Sequence, residues 1–580
     1  MYDPFPTTPL PAGAAIQTGQ EVFRELRSRA ELRAGAPAIV IDVYPGADLG
    51  RLAAQAAEVL TGYELIDVED AALPASVREE RFADTLTDDR VLGVMSHATI
   101  DQLYDAAAVQ TLRDRIAKRT GPVVVLGWGA GWVWPDADVL AVAGLARWEI
   151  QQRYRAGMPN WHVDNAGEDV LRKFKRGYFL EWRIADRLKT QLLPAADAVI
   201  DVDDPAEPKL LDGAVFREAL TGLSQRPFRL VPYFDPGVWG GQWMKETLGL
   251  DRPESNLAWS FDGVPEENSL LLSDGTHVFQ FPAMDLTKMQ PRELLGERTF
   301  SRFGAEFPIR FDFLDTMGGG NLSLQVHPLA EYIRDRFGMP YTQDESYYLL
   351  DADDDAVVYL GLKEGIDRDA MARDLRAAQN GGGPFPAEEY VNVFPARKHD
   401  HFSIPAGTVH CSGANSMVLE ISATPYIFTF KMWDWGRVGL DGVPRPIHLD
   451  HALANVQWER DTDWVAANLV GPPDAIASGE CWREERTGLH ELEFLEVRRH
   501  WFSGPVAHDT RGTVNMLNLV AGEAAVVESP TGAFDPFVVH YAETFVIPAA
   551  VGPYTIRPHE SATGGELATV KAYVRGTERG

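Results

Sequence analysis

The chain is poor in cysteine, in basic residues relative to acidic ones, and in long apolar runs. Cys411 and Cys481 are the only cysteines in 580 residues. That excludes a disulfide framework and points to a reducing cytosol. Lys and Arg total 54 against 85 Asp and Glu, a formal net charge of -31, which argues against nucleic acid or an anionic membrane as a partner. No stretch approaches the roughly 20 apolar residues of a membrane span, and the opening residues Met1 to Pro6 lack the basic and apolar regions of a leader. The expectation is a soluble, cytoplasmic protein; the pattern sets no oligomeric state.

Hydrophobic residues make up 45% of the chain and aromatic ones 10%, enough for several cores, and the length suggests about two to four domains. The first 200 residues alternate strand and helix patterns. Ala38 to Tyr44 reads as a short buried strand, Pro45 to Asp48 as a turn, and Leu49 to Leu60 as an amphipathic helix. Pro122 to Gly129 and Asp138 to Val142 read as further strands, implying a parallel sheet covered on both faces. This layout resembles the nucleoside-kinase-like P-loop fold, with Arg147 to Arg153 at the place of its basic lid-side helix. The P-loop itself is missing: Asp42 to Arg51 carries neither the lysine nor the magnesium-binding hydroxyl, so residues 1–204 are expected to form a degenerate, non-phosphorylating α/β domain. The basic cluster Arg172, Lys173, Lys175 and Arg176 is expected on a solvated helix face, and the stretch Asp203 to Lys209 reads as a boundary.

Past Arg226 the texture becomes strands and turns. Gln325 and His327 stand two apart in the apolar run Leu322 to Pro328, followed by Glu345 and by His410 at the end of Pro405 to His410. Alternate residues of a strand share a face, so Gln325 and His327 can converge on one ion that Glu345 and His410 reach from neighbouring strands. Two imidazoles, a carboxylate and an amide suit one zinc ion per chain, and a single carboxylate leaves that ion net positive charge.

The markers Pro232 to Gly241, Leu324 to Pro328, Tyr348 to Ala352, Tyr359 to Lys363, Ile404 to His410, Val418 to Ile421 and Trp433 to Arg437 occur in an order that resembles the class I mannose-6-phosphate isomerases. Those are zinc-dependent aldose–ketose isomerases built from cupin-type β-barrels, and the likeness covers roughly residues 227 to 580. It implies the same four metal ligands, Gln325, His327, Glu345 and His410. It also implies Lys431 as the catalytic cation, Ser323 on the phosphate side, Trp239 at the lip of the sugar pocket, and mannose 6-phosphate or a related sugar phosphate as substrate. The expected architecture is a metal-binding cupin domain at 227–440, a helical bridge at 441–490 and a second, metal-free cupin-like barrel at 491–580. His399 and His401 are expected in a surface loop, and His508 and His540 in surface or core roles.

Three positions depart from the family. Asp312 and Gln343 stand where lysines are usual, and Lys431 stands for an arginine. A phosphate wants Arg or Lys opposite it. Arg437, Arg302, Arg310 and Arg445 are the candidates to compensate, with Arg437 taken as substrate-binding; the basic cluster near Lys173 is another, should the N-terminal domain fold over the pocket. The competing readings are a metal- and sugar-binding cupin sensor without turnover, and a bifunctional sugar kinase–isomerase.

Overall fold

The strand Ala38–Val43 is buried at all six positions, Asp42 included, as a strand must be when helices cover both faces of its sheet. The computed structural model describes residues 1–33, 35–423, 428–488, 490–562 and 565–576. In it, Ala38–Val43 pairs in parallel with Val123–Gly127 on one side and Val139–Gly144 on the other. Glu64–Asp67 and Ala198–Asp201 extend the sheet in parallel, and Lys209–Asp212 and Gln17–Thr18 close one edge antiparallel. The helices Leu49–Val59, Ala106–Ala117 and Gly213–Leu223 each start at an aspartate, Asp48, Asp105 and Asp212, whose carboxylate accepts a first-turn N–H. The proline-rich stretch expected to end this domain at 204 is instead the turn joining Ala198–Asp201 to Lys209–Asp212 within the same sheet.

Charge in this half is used internally. Lys173, expected in solvent, is buried, and its Nζ donates to the carbonyls of Tyr154, Met158 and Ala166. Lys175 donates to the carbonyls of Thr87 and Asp89, and Arg176 pairs with Glu79 and Glu181. The cluster is buried because each cation meets carbonyl or carboxylate oxygens, which repays its desolvation. At the turn where a P-loop would lie, Arg153 donates to the carbonyls of Gly46, Val202 and Asp203 at 2.8–3.0 Å.

The next region is a sandwich of two antiparallel sheets. Six strands, in the order His401–Ile404, Asp344–Ala352, Ser416–Ala423, Arg310–Asp315, Trp259–Gly263 and Tyr233–Asp235, form one sheet. Five strands, Val391–Pro395, Val357–Leu362, His410–Ser412, Leu324–Val326 and Phe430–Trp433, form the other. A second sandwich pairs a six-stranded sheet, running from Asp474–Ser478 to Thr544–Ile547, with a four-stranded one containing Val506–Asp509, Pro553–Pro558, Ala524–Glu528 and Phe537–His540. Of the segment 441–490, expected to be helical, the helices are Leu449–Asn455 and Thr462–Asn468. Asp474–Ser478 and Trp482–Gly488 are strands of the second sandwich. Parts of the last expected domain, 563–564 and 577–580, lie outside the described residues.

Buried ions pin the N-terminal domain to the first sandwich. The Arg147 guanidinium, 3% exposed, pairs with Asp186 and with Glu266, and Arg183 reaches Glu266 as well. Lys288 pairs with Asp186 at 2.8 Å and Lys189 with Asp285 at 2.6 Å. The chain start also crosses over: Thr7–Pro9 pairs in parallel with Leu271–Ser273.

Candidate metal centre and its cavity

Gln325 and His410 face each other across adjacent antiparallel strands, and His327 follows two residues after Gln325 on the same face. Glu345 was expected from a neighbouring strand; it comes instead from the opposing sheet, so the site lies between the two layers of the sandwich. One Glu345 oxygen lies 3.0 Å from Nε2 of His327 and the other 2.8 Å from Nε2 of His410, all at zero side-chain exposure. Gln325 places its amide nitrogen 3.2 Å from Nε2 of His410. A half-turn of that amide presents its oxygen in the same place.

The histidines are oriented from behind. Nδ1 of His327 lies 3.0 Å from the carbonyl of Phe428, and Nδ1 of His410 lies 2.9 Å from the carbonyl of Thr408. A carbonyl only accepts, so both Nδ1 atoms carry hydrogen and both Nε2 atoms face the carboxylate. Neutral imidazoles would set lone pairs against that carboxylate, so a cation belongs between them, either a metal ion or a proton on Nε2. Nε2 of His327 and Oε1 of Glu345 are buried without a hydrogen-bond partner. His327, Glu345 and His410 have ligand atoms within 4.8 Å of one another, and with Gln325 they make a donor set suited to a divalent ion. Burial alone would raise the Glu345 carboxyl, but the imidazoles of His327 and His410 overcome it and hold it well below the usual range. Gln343 donates to Glu345 at 2.8 Å and to Glu420 at 3.3 Å and accepts from the Phe428 N–H, so it fixes the carboxylate from the side.

A cavity of about 960 Å³ opens in front of Gln325. Trp239, Ser323 and Lys431 line it. Ser323 donates to Asp434 at 2.8 Å and lies 3.3 Å from Arg445, which is itself on the wall. Arg437 is not among the described lining residues; it bonds Asp434 at 2.6 Å from behind. Burial and the neighbouring Arg445 lower the Lys431 ammonium to about 7. Asp312 and Glu420, opposite each other on paired strands, are the acids nearest the metal set on this wall. Burial raises Asp312 to about 7 and lifts Glu420 well above the carboxylate range.

Sequence reasoning allowed the N-terminal domain to fold over the pocket near Lys173 but did not name the residues of the far wall. Arg90, Val91, Arg155 and residues 167–171 of the N-terminal domain line the same cavity. They are held there by Arg155, which pairs with Asp235 through two bonds of 2.9 and 2.7 Å, and by Arg90, which pairs with Asp169 and, at 2.9 Å, Asp441. These contacts join residues 79, 80 and 351 positions apart and leave no local signal. Of the other histidines, His401 was expected in a surface loop, yet both its ring nitrogens are sealed from water without partners. Cys411 is buried on its strand, as expected of a structural thiol.

Residues 20–225 match a family described as a domain of unknown function, DUF8485. The chain is related at low identity, over about half its length, to mannose-6-phosphate isomerases. It is 24% identical over 320 residues to the "Mannose-6-phosphate isomerase" of Streptococcus mutans, covering 54% of this chain and 90% of that one. It is 23% identical over 307 residues to "Mannose-6-phosphate isomerase ManA" of Bacillus subtilis, covering 53% and 89%. Among solved structures, the mannose 6-phosphate isomerase of Bacillus subtilis aligns with TM-score 0.49 and 17% identity, over 60% of this chain and all of that one. No helix among the described residues is long and apolar enough to cross a membrane.

Proposed function

We propose that this chain is a metal-dependent aldose–ketose isomerase of sugar phosphates, interconverting mannose 6-phosphate and fructose 6-phosphate or a closely related pair. The observation that carries the reading is the cation-demanding set of His327, Glu345 and His410, completed by Gln325 on the floor of a cavity large enough for a hexose. The likeness in sequence to curated mannose-6-phosphate isomerases supports it.

Gln325, His327, Glu345 and His410 would hold the ion, and their nitrogen and oxygen donors suit zinc. When bound, such an ion supplies Lewis acidity toward the sugar's carbonyl and neighbouring hydroxyl oxygens. Isomerisation moves a proton between two adjacent carbons while negative charge develops on an oxygen. The protonated Lys431 ammonium, in a poorly solvated wall, steadies that charge. Asp312 and Glu420 are the carboxyl groups placed to take and return the proton. Trp239 packs on the sugar, and Ser323 with Arg445 holds the phosphate end, taking over from the lysines that Asp312 and Gln343 replace. The N-terminal domain, a degenerate kinase-like fold in this reading, acts as the fourth wall of the cavity and takes no part in phosphoryl transfer.

The test is turnover. Purified protein loaded with zinc should convert mannose 6-phosphate to the ketose in a coupled assay. Saturable binding with zero turnover would favour a sensor instead.

A further inference from the structure

The inner face of the second sandwich changes character along its strands. Phe502 sits opposite Leu567, and with Leu517 and Leu519 they belong to the apolar core of that sandwich. Two residues further along, His500 faces Thr569, and two further still Arg498 faces Lys571. Alternate residues share a face, so this polar end is continuous with the core and points inward. His508 enters from the facing sheet, its ring 4.5 Å from that of His500 and stacked on Tyr554.

These residues surround a cavity of about 740 Å³, separate from the one at the metal centre. Its wall carries Arg298, Arg498, Arg511 and Lys571 against only Glu484 and Asp509. In a chain whose acids outnumber its bases 85 to 54, bases lead two to one here. Arg498 is already neutralised by Glu484 at 2.8 Å and Glu496 at 2.6 Å. Lys571 is not: it is 7% exposed, its Nζ lies over the Tyr573 ring at 5.6 Å, and among the described residues no carboxylate is within ion-pair distance. An ammonium held in such a wall without an ion-pair partner favours an anion that arrives to pair with it. Burial is the largest cause lowering Lys571, to about 8, and Glu484 opposes it.

We propose that this second cavity is a binding site for a small phosphate monoester, its phosphate held by Lys571 and Arg298 beside Arg511. A phosphate carries nearly two negative charges, which Lys571 and Arg298 can meet. The cavity volume falls in the range of metabolite pockets and leaves room for an organic portion beyond the phosphate. The two histidines add donors at the inner end. Nothing in this argument uses the metal centre, so the site stands or falls independently of the isomerase reading.

The experiment is calorimetric titration of the full-length protein with inorganic phosphate and, separately, with a hexose 6-phosphate. The wild type, Lys571→Met, Arg298→Glu and, as a control at the phosphate end of the first cavity, Arg445→Met are compared. Arg298 lies on the exposed face of the short helix Glu297–Phe303, so its replacement leaves the fold intact even if Lys571→Met does not. The expected result is phosphate binding that weakens at least tenfold in both second-cavity variants and persists in Arg445→Met. In Arg445→Met, tighter binding of the hexose phosphate than of phosphate would assign the ligand an organic portion; equal binding would assign phosphate alone. Absence of phosphate binding, or equal affinity in the wild type, Lys571→Met and Arg298→Glu, would overturn the proposal.

Discussion

Arg155 of the N-terminal domain and Asp235 of the first sandwich form a two-bonded ion pair, 2.9 and 2.7 Å, at the rim of the cavity that opens onto Gln325. Neither residue touches the metal set, yet the pair fixes the distance between the wall and the floor of the pocket. Arg155 is 39% exposed, so the pair contributes little to global stability. Arg155→Ala should therefore leave the melting temperature within about 2 °C while raising KM roughly 3- to 10-fold, as expected for a positioning contact. Steady-state kinetics beside a thermal melt checks this; an unchanged KM would remove the N-terminal domain from substrate binding.

Lys431 should act as an ammonium, and burial beside Arg445 brings it to about 7. Its charge is present below that pH and lost above it, so kcat should decline as pH rises through about 7. Lys431→Arg keeps its charge throughout and should abolish the alkaline decline. Lys431→Met should lower kcat by about 10²-fold below about pH 7 and show no alkaline decline, so that its profile and the wild type's converge as pH rises. A kcat–pH profile of the three proteins decides; an alkaline limb retained in Lys431→Arg would assign the titration to another group.

Arg147 lies between Asp186 and Glu266 at the boundary of the first two domains. Arg147→Met leaves two buried carboxylates short of a partner, with Arg183 and Lys288 as partial substitutes. The expected cost is about 2–4 kcal/mol in urea unfolding. A neutral result would mean that the remaining cations suffice.

His401 supplies a pH dependence with a definite sign. Burial, with Arg499 adding to it, lowers its imidazole to about 3, against roughly 6.5 when unfolded. A depressed folded value means the stability is present above the unfolded value and lost as pH falls toward the folded one. Between pH 6.5 and 4.5 the loss should approach about 2–3 kcal/mol. His401→Phe should flatten that part of the stability–pH curve. A curve with the wild-type slope would place the titration elsewhere.

The candidate metal ligands were legible because chemistry and spacing coincide: Gln325 and His327 alternate on one strand, and His410 ends a glycine-containing turn at 407. Strands with apolar alternation, such as Leu567–Val574, were equally readable. Trp482–Gly488 was not, because Arg483, Glu484, Glu485 and Arg486 on a half-exposed strand mimic a solvated helix or loop. Lys173 misled in the opposite way: charge density predicts solvent, and only the tertiary fold reveals the three carbonyls that surround its ammonium. The cavity wall at 167–171 was unreadable for the same reason, since nothing local marks a loop that meets a pocket built more than 100 residues away.

The central claim is that His327, Glu345 and His410 exist to hold a cation that the isomerisation requires. The direct measurement is elemental analysis of the purified protein, with turnover of mannose 6-phosphate before and after chelation and on readdition of zinc. The account predicts about one equivalent of divalent metal per chain, activity lost with the metal and restored with it, and metal lost from Gln325→Ala and His410→Ala while the N-terminal domain stays folded. Full turnover by metal-free protein, or by both variants, would contradict it.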